Sequence, residues 1–315
     1  MTSLGVFLTA LFTFVELNCE NLFDYHHDEG KNDYEFLPTS DRRWDTNRYW
    51  RKVNAIAQEI VACGGEKDWT LPDMVALCEV ENDTVLRDLT RRSLLRTARY
   101  EYIMTESGDE RGIDVALIYS PFTFQLICYD TFTVEPVEGK SPTRDILYAE
   151  GLTIGGDTLH VMVVHAPSRV GGARNKEYRQ RVAARVNATV DSLRLCHVDP
   201  HIIVAGDFND YATDPAPTSL CEHGLVHISK DAQGSNGAKG TYKFQGKWGS
   251  LDHIFASPSM AACLEDCFIF DAPFLLSDDK KYGGKQPKRT YVGKRHQKDG
   301  FSDHLPLVAR FRTSP

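Results

Sequence analysis

Six polar signals stand at the ends of apolar runs, and their side chains are those of phosphate chemistry. Thr13–Leu17 leads into Asn18, and Met74–Cys78 leads into Glu79. Ile202–Gly206 leads into Asp207, with Asn209 two residues on. His165 ends the run Leu159–Val164, and Asp252 opens the run His253–Ala256. Ser302-Asp303-His304 precedes the last apolar run, Leu307–Phe311. A strand end is a rigid mount, so several together can converge on one mouth.

The inventory fits metal-assisted hydrolysis of a phosphate ester. Glu79 and Asp303 are hard oxygen donors suited to Mg²⁺ or Mn²⁺, as one ion or two. Such an ion polarises a phosphoryl oxygen and stabilises the leaving oxygen. His304 is a candidate general base or phosphoryl-oxygen donor, and Asp252 can orient it through the other ring nitrogen. Asp207 is a candidate for positioning or deprotonating water. Asn18, Asn209 and His165 can donate hydrogen bonds to charge developing on the phosphate. Arg144 and Arg169 carry guanidinium forks that match phosphate oxygens.

Each signal also has a plain reading. Gly206-Asp207-Phe208-Asn209-Asp210 can be a capped turn, and Ser302-Asp303-His304 an ST-turn. Glu79 can be solvated, and His165 a satisfied histidine at a strand end. Their joint occurrence, each beside a strand-like run, weighs against chance.

The elements that must hold these residues follow from periodicity. Strand-length runs rich in Val, Ile and Phe recur along the chain, among them Val115–Tyr119 and Phe122–Cys128. Gly155-Gly156-Asp157 between two such runs predicts a hairpin. Tyr49, Val53, Ile56 and Ile60 predict a helix over Asp45–Cys63, stopped by Gly64-Gly65. Tyr178, Val182, Val186, Val190 and Leu193 predict a second over Ala173–Leu195, and Asn82 predicts the cap of a shorter one. Many strands with a few amphipathic helices predict two sheets packed face to face, with helices outside.

No repeat or linker divides the chain, so residues 13–315 are expected to form a single domain. Residues 1–12 are expected to be a leader or signal remnant. Leu4–Phe14 is apolar enough for an export signal, although no Lys or Arg precedes it; the alternative is a long first strand. This run is too short to span a membrane, and no other stretch is a candidate. The eight cysteines are scattered without zinc spacing and read mostly as reduced core residues, an even count still permitting disulfides.

The order of the signals resembles the endonuclease/exonuclease/phosphatase superfamily, the deoxyribonuclease I-like proteins. The carriers are Leu17-Asn18, Leu77-Cys78-Glu79, His165-Ala166-Pro167-Ser168, Gly206-Asp207-Phe208-Asn209, Leu251-Asp252-His253 and Ser302-Asp303-His304. The resemblance implies an α+β fold, a four-layer α/β/β/α sandwich with two packed, mostly antiparallel sheets. It implies that Asn18, Glu79 and Asp303 surround the metal and that Asp252 and His304 form an Asp–His pair. It assigns Asp207 and Asn209 to the water and phosphate, His165 to a second active-site histidine, and Arg144 to phosphate binding. Asn18-Cys19-Glu20-Asn21-Leu22-Phe23-Asp24 and Arg111-Gly112-Ile113-Asp114-Val115-Ala116 are similar to a bacterial, often exported subgroup. That similarity favours a periplasmic or extracellular site over the cytoplasm. Cys78 stands in place of the family's usual Gln, and His253 in place of a common Tyr.

Charge sharpens the expectation. The formal net charge is −8, yet residues 280–298 hold eight Lys/Arg and no Asp or Glu. Without that segment 28 basic residues face 44 acidic ones, a balance of −16. One basic loop on an acidic body predicts a local anion site rather than a broad binding face. Arg289, Lys294 and Arg295 are its candidates for reaching phosphates, with Tyr282, Tyr291 and His296 available to stack. The plain alternative is a solvated charged loop.

A nuclease-like phosphodiesterase, acting as a monomer on nucleic acid, a nucleotide or a phospholipid headgroup, is the leading expectation. A lipid or inositol phosphoesterase is the alternative. A non-catalytic binding protein ranks last, because the metal acid and the Asp–His pair are both retained.

Overall fold

The computed structural model describes residues 11–65 and 70–312. The first ten residues of the expected leader lie outside them. The chain runs through β1 (Leu11–Leu22), α1 (Thr46–Cys63), β2 (Met74–Val80), α2 (Asp83–Arg91), β3 (Glu101–Met104) and β4 (Asp114–Tyr119). It continues with β5 (Phe124–Phe132), β6 (Ile146–Thr153), β7 (Thr158–His165), α3 (Gly172–Cys196), β8 (His201–Asp207) and α4 (Pro215–Glu222). Then come β9 (Val226–His227), β10 (Tyr242–Phe244), β11 (Lys247–Gly249), β12 (Asp252–Ala256), α5 (Pro258–Ala262) and β13 (Leu264–Ile269). The last are β14 (Leu276–Asp278), β15 (Lys285–Pro287), β16 (Tyr291–Val292), β17 (Arg295–His296) and β18 (Leu307–Arg312).

Two six-stranded sheets dominate. One has the order β13-β18-β1-β2-β4-β3, the other β5-β6-β7-β8-β12-β9. Within them only β1·β2 and β7·β8 are parallel pairs. The alternation of β1 explains the stacking. Phe12 and Phe14 face the space between the sheets, where they meet Val161, Val163, Ile203 and Ala205. Val15 and Leu17 point the other way, onto Tyr49, Val53, Ile56 and Ile60 of α1. On the second sheet Met162, Val164, Ile202 and Val204 pack beneath Val182, Val186 and Val190 of α3. The result is an α/β/β/α sandwich with three apolar layers, and burying each such valine contributes about 1.5–3 kcal/mol.

Helix starts follow their side chains. Asp45 accepts from the Arg48 N–H at 3.0 Å, and Asn82 from the Val85 N–H at 3.1 Å; each cap contributes about 1 kcal/mol. Two expectations need correction. The basic segment expected as a loop carries short strands: β14 pairs with β15 and β16 with β17, making two ribbons. The cysteines are all unpaired, but Cys128, Cys196 and Cys221 are exposed rather than in the core.

Candidate active site

The strand ends meet as the register dictates. His165 at the end of β7 lies opposite Asp207 at the end of β8, and Asp207 lies opposite Asp252 at the start of β12. Three candidate side chains from one sheet therefore sit in a row. The other sheet contributes Asn18 from β1, paired with Cys78, and Glu79 from the end of the adjacent β2. They open onto a cleft of about 460 Å³ whose lining includes Glu79, His165, Asp207, Asn209, Asp303 and His304.

Local backbone shapes make these placements. Gly206 has φ +144°, and a Cβ there would meet the Val164 carbonyl oxygen at 1.8 Å. Only glycine lets β8 approach β7 so closely. Asn209 then turns with φ +50°, a conformation Asn tolerates well. Its backbone N–H donates to Asp207 at 2.8 Å and its side-chain amide to the Ala166 carbonyl at 3.1 Å. Glu79 has φ +62°, at a register shift between Cys78 and Val80 that swings its carboxylate out of the strand. The Asn21 N–H holds that carboxylate at 2.8 Å. A non-glycine residue in this region is strained by about 1–2 kcal/mol, the kind of cost that clusters at functional sites.

His304 and Asp252 form a buried pair, Nδ1 to Oδ2, at 2.7 Å. Thr241 donates its hydroxyl to the same Asp252 oxygen. Ser302 accepts from the His304 N–H at 3.1 Å and donates to the Asn18 carbonyl at 2.6 Å, which ties the last loop to β1. Tyr242 packs its ring on the imidazole with centroids 4.8 Å apart. Burial alone would lower the His304 pKa, but Asp252, then Asp207 and Asp303, outweigh it and raise it well above the ordinary value. Among groups offering three donors, Asp207, Asp252 and His304 lie within 4.8 Å of one another among the described residues.

His165 is the opposite case. Burial, reinforced by Arg144 and Arg111, holds it well below its ordinary value, so it is neutral. Its Nε2 stands 3.8 Å from both Glu79 and Asp207. Asp207 is pushed up to about 7 by burial and by the Asp252 charge. Beneath them Glu16, fully buried on β1, is raised well above a normal carboxylate by burial, Asp252 and Asp207. Asp252 Oδ1 and Glu16 Oε2 are buried without a hydrogen-bond partner.

This crowding bears on the expected metal. Carboxylates raised by one another lack compensating positive charge, and a divalent cation would supply it. Glu79 and Asp303 are partly exposed to the cleft, with side chains 16% and 20% accessible, and are hard oxygen donors. They fit such an ion better than the compact Asp207, Asp252 and His304 group, whose Asp252–His304 atoms already bond to each other. Asn18 is buried beside the cleft rather than lining it. Its amide N–H₂ reaches Asp207 at 3.0 Å and Glu79 at 3.4 Å, and its oxygen accepts from the Glu20 N–H.

The arginines divide. Arg144 lines the cleft but is nearly buried, donating to Asp109 at 3.2 Å and to the Ala166 carbonyl at 3.0 Å, with Nε unpartnered. Arg169 is partly exposed, bonded to Asp210 and Asp214, and stacked on the Tyr211 ring at 4.6 Å. Arg289 donates to Asp303. The rest of the basic loop departs from expectation. Lys294 pairs with Asp41, and Arg295 lines a different depression beside α1. Tyr291 is buried against Trp44 and Arg42, so it is not free to stack on substrate, and His296 packs on the same Trp44. His253, in place of Tyr, donates its Nε2–H to the Asp210 carbonyl at 2.8 Å and meets His227 Nε2 through Nδ1 at 3.1 Å.

Sequence reasoning missed several residues in or beneath the cleft. Arg111 sits inside a motif already noticed, yet its place in the cleft depends on a loop contact to Asn21. Tyr242 and Phe244 belong to a three-residue strand with no periodic signal, and Glu16 hides inside an apolar run.

A profile of the endonuclease/exonuclease/phosphatase family matches residues 13–313. No curated protein matches the chain. Solved structures do. An endonuclease/exonuclease/phosphatase family protein from Bacteroides thetaiotaomicron superposes with TM-score 0.64 at 16% identity, over 97% of this chain and 98% of that one. A Bacteroides thetaiotaomicron mannosyl-6-phosphatase gives 0.60 at 16% identity, over 95% and 98%. A humanized D. rerio TDP2 gives 0.57 at 15% identity, over 96% and 99%. At these identities the likeness is one of fold.

Proposed function

The chain belongs to the endonuclease/exonuclease/phosphatase family, and from that premise we propose that it hydrolyses a phosphodiester, nuclease-like, with a divalent cation. The observation that carries this reading is the buried Asp252–His304 pair at a cleft that Glu79 and Asp303 also line. Glu79 and Asp303 would hold Mg²⁺ or Mn²⁺, which supplies Lewis-acid polarisation of the phosphoryl oxygen.

The chain's own residues do the rest. His304, kept protonated by its aspartates, donates a hydrogen bond to a phosphoryl oxygen as charge grows there. Asp207, poised near neutrality, accepts the proton of the attacking water. Asn209 and Asn18 fix the Asp207 carboxylate through the bonds described above. Neutral His165 donates without adding a charge that would compete with the cation. Arg111, Arg144 and Arg169 line the cleft and bind phosphate oxygens.

A second reading, a sugar or inositol phosphomonoester, draws on the cleft's limited volume, about 460 Å³, and on the likeness to the mannosyl-6-phosphatase. The deciding experiment measures hydrolysis of bis-p-nitrophenyl phosphate, p-nitrophenyl phosphate and plasmid DNA with Mg²⁺, Mn²⁺ or EDTA, beside Glu79→Ala. Cation-dependent diester cleavage that disappears in the variant supports the proposal. Monoester cleavage alone favours the second reading, and no cleavage of any substrate overturns both.

A further inference from the structure

The basic loop's charges gather where the catalytic cleft does not use them. Between the first turns of α1 and the β16–β17 ribbon lies a depression of about 440 Å³. Arg43, Arg48, Arg51, Lys294, Arg295 and Lys298 line it, against only Asp41 and Asp45. Six cations to two anions is a concentrated positive field on a chain of net charge −8. Lys294 is the one of the six that is paired, with Asp41; among the described residues the other five form no ion pair. Burial, Arg48 and Arg51 together hold His296, which also faces this depression, below its ordinary value.

A second depression, of about 520 Å³, adjoins it and shares Asn47, Arg51 and Lys298. It adds the half-buried ring of Trp50, with Leu94 and Phe301. An arginine-lined trough running into a pocket with an indole matches a single nucleic-acid strand. Guanidinium forks take its phosphates and an aromatic face takes a base. The first depression offers no apolar residue, which disfavours a membrane surface. Arg289, two residues before this ribbon, donates to Asp303 in the cleft, so the trough and the cleft are joined by one stretch of chain.

We propose that the trough between α1 and the β16–β17 ribbon is a second binding site, separate from the catalytic cleft, for the phosphodiester backbone of single-stranded nucleic acid. It rests on the phosphodiesterase reading only for the choice of nucleic acid among polyanions. The site adds affinity and salt dependence and takes no part in bond cleavage.

The test uses the full chain in EDTA and a fluorescein-labelled single-stranded 20-mer, followed by anisotropy across a salt series. Arg51→Glu/Arg295→Glu/Lys298→Glu changes three exposed side chains that make no ion pair. The expected result is at least a tenfold weaker Kd and a salt slope shallower by about 2, since each lost phosphate contact removes about 0.7 for single strands. Arg51→Lys/Arg295→Lys/Lys298→Arg should keep most of the binding, and bis-p-nitrophenyl phosphate hydrolysis should be unchanged in both variants. Oligonucleotide binding by the glutamate variant equal to the wild type would overturn the proposal. So would wild-type binding to phosphatidylglycerol vesicles with none to the oligonucleotide. Loss of strand binding in a protein that hydrolyses no ester would leave this site standing and remove the catalytic reading instead.

Discussion

The side-chain amide of Asn18 donates to Asp207 across 3.0 Å, joining β1 in one sheet to the end of β8 in the other. The same nitrogen reaches Glu79 at 3.4 Å. One neutral donor therefore separates two carboxylates from different sheets and fixes their spacing.

Asn18→Ala should expose this dependence. Buried Asp207 and half-buried Glu79 each lose a donor, at about 1–3 kcal/mol of stability, and the carboxylates are free to drift apart. kcat should fall about 100-fold, and the cation concentration for half-maximal activity should rise. A variant with wild-type kcat and wild-type cation dependence would show that Asn18 does not organise the site.

His304→Ala and Asp252→Asn should each lower kcat by about 10²–10³-fold or more while the protein stays folded. The pair is buried, but Ser302 still ties the backbone N–H of residue 304 to the Asn18 carbonyl in either variant. Circular dichroism and thermal melts check the fold, and steady-state kinetics check the rate. Near-wild-type turnover in either variant would remove the pair from the mechanism.

Arg144 can be separated from a purely structural role by two substitutions. Arg144→Ala leaves Asp109 Oδ2 without its donor and the Ala166 carbonyl with Asn209 alone, and should cost about 1–3 kcal/mol. Arg144→Lys keeps the charge and loses the fork, so KM should rise about tenfold with a small change in kcat. Equal loss of stability in both, with KM unchanged, would make Arg144 a scaffold residue only.

Where sequence legibility ended has a physical cause. β1, β2, β7 and β8 are buried on both faces, so they read as continuous apolar runs, and the polar residue that ends each run stands out. Asp45 and Asn82 are legible as caps because their side chains bond locally. The strands β10 and β11 span three residues each, too few for a period, so Tyr242 over His304 was invisible. Glu16 looked like a strand residue because its neighbours are apolar, and only the second sheet's Asp207 and Asp252 make it part of the site. The basic loop was legible as charge but not as direction. Buried Lys52 of α1 bonds Thr290 at 2.7 Å and pins the loop base, which carries Lys294 and Arg295 to the α1 side.

Glu59 should make stability fall as pH rises. It lies on the inner side of α1, fully buried, with neither carboxylate oxygen hydrogen-bonded. Burial pushes its pKa up to about 8, with Lys52 opposing and Glu20 adding to the rise. Below about pH 4.5, the ordinary value for an unfolded chain, the residue is neutral in both states and costs nothing. Between about 4.5 and 8 the unfolded chain ionises and the folded one does not, so stability is lost across that window. Glu59→Gln removes the titration. Its melting temperature should match the wild type near pH 4.5 and exceed it at pH 8.5. A gain on the order of 1–3 kcal/mol corresponds to several degrees for a chain of this size. The check is a pair of melting curves at each pH. Parallel pH dependence in the two proteins would mean that the Glu59 carboxyl is not held neutral by the fold.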